Sequence, residues 1–137
     1  LYGLLEACDM LMEEGLENVF ARHERHAEAT RRAVRTWGFE IQCSEPKEYS
    51  PVLTGVIMPS GHDADALRSI ILEKYNMSLG AGLGKIKGKV FRIGHLGDFN
   101  DLMLMGTLSG VEMGLTSAGV PHNKGGAQAA LDFLAGN

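Results

Sequence analysis

Apolar residues at Leu1, Leu4, Leu5, Cys8, Leu11 and Met12 recur every three or four positions, which puts them on one side of a helix, and Gly15 suits the left-handed position that closes it. A second helix follows from Leu16. Val19, Phe20, His23, Ala27, Thr30, Val34 and Trp37 continue its apolar stripe, while Glu17, Arg22, Glu24, Arg25, Glu28, Arg31, Arg32 and Arg35 occupy the rest. That charge reads as a solvated face, helped by Glu28 standing four residues before Arg32. Beyond Gly38 the period changes. Phe39 to Cys43 alternates apolar with polar, as in a half-buried strand, and a loop runs from Pro46 to Pro51. Val52 to Met58 is nearly continuous and β-branched, which predicts a central strand covered on both faces and stopped by Pro59. Asp63 is placed to cap a helix carried by Ala66, Leu67, Ile70, Ile71 and Tyr75. A short strand at Met77 to Leu79, a glycine-rich run and a strand from Lys89 to His95 come next. Helices at Asp98–Leu115 and Gln128–Leu134 complete the series, with Met103, Met105 and Met113 read as core filling. Few strands, unevenly separated, predict an α/β fold of the α+β type: a small, mostly antiparallel sheet with helices packed on one face.

Composition narrows the function classes. The 137 residues, 45% of them apolar, suit one domain with a core of its own. A net charge of −4 argues against a nucleic-acid binder that works by neutralising phosphates. No apolar run approaches the roughly 20 residues of a membrane span. Cys8 and Cys43 share no CxxC or Cys/His ligand spacing, as expected of reduced thiols in the cytoplasm or, in a eukaryote, an organellar matrix. His23 and His26 stand three apart but have no third ligand at matching spacing, so they read as structural histidines and no metal is expected.

The chain holds 18 glycines, and Gly80, Gly82, Gly84, Gly88, Gly94 and Gly97 crowd into one stretch. Gly80-Ala81-Gly82-Leu83-Gly84 is not a dinucleotide fingerprint, because it leads into a strand rather than a helix, and no GK[ST] phosphate loop occurs. From Lys85 to His95 there are three lysines, an arginine and a histidine with no acid, a local anion site in an acidic protein. Lys85, Lys87 and Lys89 read as solvated. Arg92, between Phe91 and Ile93 in a strand, needs a partner, since a partly buried guanidinium left alone is costly. An internal acid would serve, and so would a ligand carboxylate gripped by the planar fork. His95 reads as a strand-end histidine bonded to nearby backbone.

Gly82-Leu83-Gly84 followed by Lys89-Val90-Phe91-Arg92-Ile93-Gly94-His95-Leu96-Gly97, with Leu1-Tyr2-Gly3-Leu4-Leu5-Glu6-Ala7 and Glu14-Gly15-Leu16-Glu17-Asn18-Val19 upstream, resembles the C-terminal part of class V, fold-type I aminotransferases. The likeness is greatest to the serine-glyoxylate and alanine-glyoxylate (serine-pyruvate) enzymes. It implies that residues 1–137 form one small C-terminal domain beginning within an interdomain helix, with the large domain that binds pyridoxal phosphate (PLP) upstream. It also implies amino transfer from serine or alanine to glyoxylate or pyruvate by a homodimer, with Arg92 clamping the substrate α-carboxylate. Lys47, Lys74, Lys85, Lys87, Lys89 and Lys124 match no Schiff-base position of that family. The chain alone is therefore expected to carry no catalytic residue, to hold no PLP and to be inactive, with its domain-facing surface exposed or covered by another copy. Two other readings stand beside this one: a self-standing α/β module that binds an anionic metabolite through residues 85–95, and a structural dimerisation domain.

Overall fold

The computed structural model describes residues 1–136. Helices α1 (Tyr2–Glu14) and α2 (Leu16–Thr36) lead to strand β1 (Leu53–Ile57), helix α3 (Ala64–Tyr75), strands β2 (Gly80–Ala81) and β3 (Val90–Gly94), and helices α4 (Asp101–Ser117) and α5 (Gly126–Leu134). The strands run antiparallel in the order β1-β3-β2, so the expected small antiparallel sheet is present. Its centre is β3. β1 was expected to be central and covered on both faces, but burial alternates along it, with Thr54 and Val56 inside. The strand expected at Phe39–Cys43 is reduced to one bridge, Ile41 to Val56, along the outer edge of β1. The short strand falls at Gly80–Ala81 rather than Met77–Leu79.

Val56, Phe91 and Ile93 form the sheet's contribution to the core, where Ala29, Ala33 and Val34 of α2 and Leu67 and Ile71 of α3 meet them. Leu104, Leu108, Val111 and Leu115 of α4 close the core from behind. Met103 and Met113 do not: both are about half exposed, because the inward face of α4 falls on the leucines, and only Met105 is partly buried. The caps follow local chemistry. Asp63 accepts hydrogen bonds from the Asp65 and Ala66 N–H groups, as expected, whereas α4 starts at Asn100, which bonds the Met103 N–H, and not at Asp98. Gly15 joins α1 to α2 at φ 83°, ψ 130°, a positive φ but not the left-handed helical well the sequence suggested.

The charged residues of α2 are less solvated than their pattern suggested. Arg25 grips Asp101 bidentately at 2.7 Å on each oxygen, and His26 Nε2 shares one of those oxygens at 2.9 Å. The Arg25 hydrogen bonds, reinforced by His26, hold the Asp101 carboxyl down to about 2 despite its partial burial. His95 is wholly buried, and burial pushes its imidazole down to about 4. Both shifts weaken the fold in acid, in separate windows. As pH falls from about 6.5 to 4 the unfolded chain protonates His95 and the native chain resists; from about 3.8 to 2 the same holds for Asp101. Urea midpoints followed from pH 8 to pH 2 are expected to fall in both windows. His95→Gln removes the upper decline, and the gap between the unmodified protein and Asp101→Asn closes across the lower one.

Candidate functional site

Arg92 projects from the sheet face that carries no helix. Its two neighbours across the strands are both glycines, Gly55 on β1 and Gly80 on β2. Gly80 leaves room for the arginine stem, since a Cβ there would stand 3.0 Å from Arg92 Cβ and 3.2 Å from its Nε. Arg92 Nε–H donates to the Ala81 carbonyl at 2.8 Å, which fixes the plane of the guanidinium. Nη1 and Nη2 have no hydrogen-bond partner, and Arg92 has no ion pair, among the described residues. The two donors that a carboxylate would take are therefore free, on a half-buried side chain held from behind.

A cavity of about 170 Å³ opens beside this guanidinium, with Arg31, Gln42, Cys43, Tyr49 and Gly55 among its walls. Gln42 lies over Gly55, where an added Cβ would come within 3.2 Å of its own Cβ. Glycines inside two strands signal close approach, so Gly55 and Gly80 were legible as partners of the site. Arg31 and Gln42 were not, because neither periodicity nor motif sets them apart. Lys85, Lys87 and Lys89 are exposed, as expected, and line neither this cavity nor the larger groove described below.

His95 stands on the opposite, core-facing side of β3 and does not join Arg92. Its Nδ1–H donates to the Pro51 carbonyl at 3.1 Å and its Nε2 accepts from the Thr54 hydroxyl at 2.9 Å, the arrangement of a neutral ring. The turn after β3 is fixed from α2. Arg22 binds Glu14 through Nε and Nη2, each at 2.7 Å, and donates through Nη1 to the Gly97 and Phe99 carbonyls at 2.8 and 3.0 Å. His23 accepts from the Gly97 N–H at 3.2 Å and bonds the Val19 carbonyl at 2.7 Å. His23 uses both ring nitrogens on protein partners and His26 uses Nε2 on Asp101 while its buried Nδ1 has no partner, and no cluster of three metal-ligating side chains occurs among the described residues.

A second concavity, a groove of about 830 Å³, lies between α1, α2 and the Leu96–Asp98 turn, with Met10, Leu11, Phe20 and Leu96 on its walls. Helix α1 buries none of its residues; Leu1, Tyr2, Leu4, Leu5 and Met12 face outward. These side chains form an exposed apolar face with no cover among the described residues.

PLP would need a lysine in a pocket for its Schiff base. All six lysines are exposed, and neither cavity contains one. The residues present do not fit the cofactor's covalent anchor.

No protein-family model matches the chain. It is 46% identical to a serine-glyoxylate aminotransferase of Methylorubrum extorquens over its full length and 34% of that protein. The Arabidopsis thaliana serine-glyoxylate aminotransferase is 48% identical over 98% of the chain and 34% of the relative. Among solved structures, ureidoglycine-glyoxylate aminotransferase from Bacillus subtilis superposes with a TM-score of 0.86 at 29% identity, over 93% of this chain and 33% of that one. The matches fall in the C-terminal part of these proteins. In sequence and fold the chain matches the C-terminal third of class V aminotransferases. It spans about a third of the length of the relatives it matches. Aminotransferases of the family depend on PLP, which implies an amino-acid donor and an oxo-acid acceptor, both carboxylates.

Proposed function

We propose that this chain is the substrate-carboxylate-binding part of a PLP-dependent aminotransferase that transfers an amino group from serine or alanine to glyoxylate or pyruvate. The observation that carries the proposal is the half-used guanidinium of Arg92: Nε tied to Ala81 O at 2.8 Å, both terminal amino groups without a partner among the described residues, on a residue that lines a cavity. The chain's own task is binding and orientation. A bidentate Arg92–carboxylate pair fixes the substrate at its α-carboxylate end, so that the bonds at Cα meet the reacting groups in one geometry instead of many. Gly80 keeps the β2 edge clear of the guanidinium. PLP and its lysine belong, on this reading, to a large domain encoded upstream. The groove beside α1 is where that domain packs, because α1 offers a continuous apolar face and no partner for it within residues 1–136. The assembled enzyme is read as a homodimer. Unpaired Cys8 and Cys43 suit a reducing compartment, the cytoplasm or an organellar matrix.

The test is steady-state kinetics of the full-length enzyme. Arg92→Ala is expected to raise KM for both L-serine and glyoxylate about tenfold to a hundredfold, the range of a charge-assisted hydrogen-bond pair at a half-exposed site. Arg92→Lys keeps the charge but loses the fork, and restores only part of the loss. Unchanged KM values for both substrates would sink the proposal.

A further inference from the structure

Arg31 of α2 shares the cavity of Arg92 and is the only arginine that is fully buried among the described residues, at 8% exposure. Among the described residues only its Nε is hydrogen-bonded, and its terminal amino groups are not sealed from solvent. Its Nε reaches Glu28 Oε2 at 3.3 Å, while the other oxygen of Glu28 serves Arg32 at 3.0 Å and Arg35 at 3.8 Å. One carboxylate is spread over three cations, so the cluster keeps an excess of positive charge. Desolvation works to raise the Glu28 carboxyl, but its arginine contacts outweigh that and hold it below the usual range, so the carboxylate stays ionised and still does not neutralise the group.

Nη1 and Nη2 of Arg31 have no hydrogen-bond partner among the described residues. The guanidinium lies 5.3 Å over the centre of the Tyr49 ring, which supports it at the cavity wall without using those donors. Glu48 is the one carboxylate that also lines the cavity; it is exposed on a single 3-10 turn, Pro46–Glu48, and makes no ion pair among the described residues. The space of about 170 Å³ has room for a short-chain acid. Two arginines whose terminal donors have no partner among the described residues thus line one small cavity.

We propose that Arg31 is a second anion-binding group of the Arg92 cavity, suited to the side-chain carboxylate of a dicarboxylic amino acid or of its oxo acid. The proposal rests on the reading of Arg92 as a carboxylate clamp. It makes Arg31 a specificity-determining residue: Arg92 holds the carboxylate that every substrate carries, and Arg31 answers to one that only some carry.

Calorimetric titration of the full-length protein with succinate and with butyrate, four-carbon acids that differ by one carboxylate, tests this without any substitution. Succinate is expected to bind about tenfold or more tightly, the effect of one added charge-assisted pair. Arg31→Met is expected to abolish that preference and leave butyrate within twofold. Equal affinities in the unmodified protein, or a succinate preference that survives Arg31→Met, overturn the proposal. Arg92→Lys separates the two claims. If it weakens both acids while Arg31 proves silent, only the second subsite falls; if it weakens neither, the clamp itself falls. Should Arg31→Met fail to fold, the succinate and butyrate comparison in the unmodified protein still decides.

Discussion

Gly82→Ala is expected to destabilise the fold by about 2–4 kcal/mol and to raise KM for the carboxylate substrates of the full-length enzyme severalfold. A Cβ at this position would stand 2.3 Å from the Ile86 carbonyl oxygen and 2.9 Å from that of Val90. Both obstacles are backbone, so no side-chain rotation relieves the clash, and the loop itself must move. The movement strains the Gly82 N–H to Val90 carbonyl bond, 2.9 Å, which ties the glycine loop to the start of β3. It also shifts Ala81, whose carbonyl fixes Arg92 Nε. Stability and substrate binding should therefore fall together. Gly106→Ala is the contrasting case. It lies inside α4 with nothing within 4 Å of an added Cβ, so there alanine should stabilise by about 0.5–1 kcal/mol and leave KM alone. Urea unfolding followed by circular dichroism, with KM for L-serine, measures both. A Gly82→Ala protein that keeps its urea midpoint removes the steric argument.

How much of this was legible beforehand depends on whether local chemistry or tertiary context decides each element. Asp63 was readable as a cap because capping is settled within four residues of sequence. The strand carrying Arg92 was readable because β-branched residues flank it between glycines. The segment Phe39–Cys43 has a strand's alternation, but its pairing is confined to one bridge, Ile41 with Val56, flanked by hydrogen bonds from the Ile57 N–H to the Glu40 carbonyl and from the Gln42 N–H to the Gly55 carbonyl at 2.9 Å each. The methionines of α4 misled for a related reason: a helix with apolar residues on several sides does not announce which side faces the core, and packing against α3 and α5 chose Leu104, Leu108 and Leu115. The site divides the same way. Arg92 stood out as a cation inside a strand, and it makes no ion pair among the described residues. Arg31 sat in a row of charges that looked uniformly solvated, and the Tyr49 ring that packs against its guanidinium comes from a loop 18 residues further along the chain.

Trp37→Ala carries the largest expected loss of stability, about 3–5 kcal/mol, the range for deleting a fully buried aromatic side chain. Trp37 is 1% exposed and sits where three helices meet. Its ring packs so closely on the start of α5 that a Cβ at Gly126 would stand 2.2 Å from Nε1. Its indole N–H donates to Glu112 Oε2 of α4 at 3.0 Å, and its carbonyl accepts from the Asn123 N–H at 3.0 Å. Glu112 in turn accepts from the Gly125 and Ala127 N–H groups at 2.7 and 2.8 Å, so a carboxylate from α4 caps α5. Desolvation works to raise the Glu112 carboxyl, but these N–H donors outweigh it and hold the group below its usual range. Deleting the indole opens a cavity under α5 and removes one of the three donors to Glu112. Trp37→Phe separates the two contributions: it keeps most of the apolar contact, leaves Glu112 its backbone donors, and should cost only about 1–2 kcal/mol. The chain contains one tryptophan, so both variants must be followed by circular dichroism rather than tryptophan fluorescence. If Trp37→Ala costs no more than Trp37→Phe, α5 is held by the Glu112 cap rather than by the indole, and the packing account of this corner is wrong.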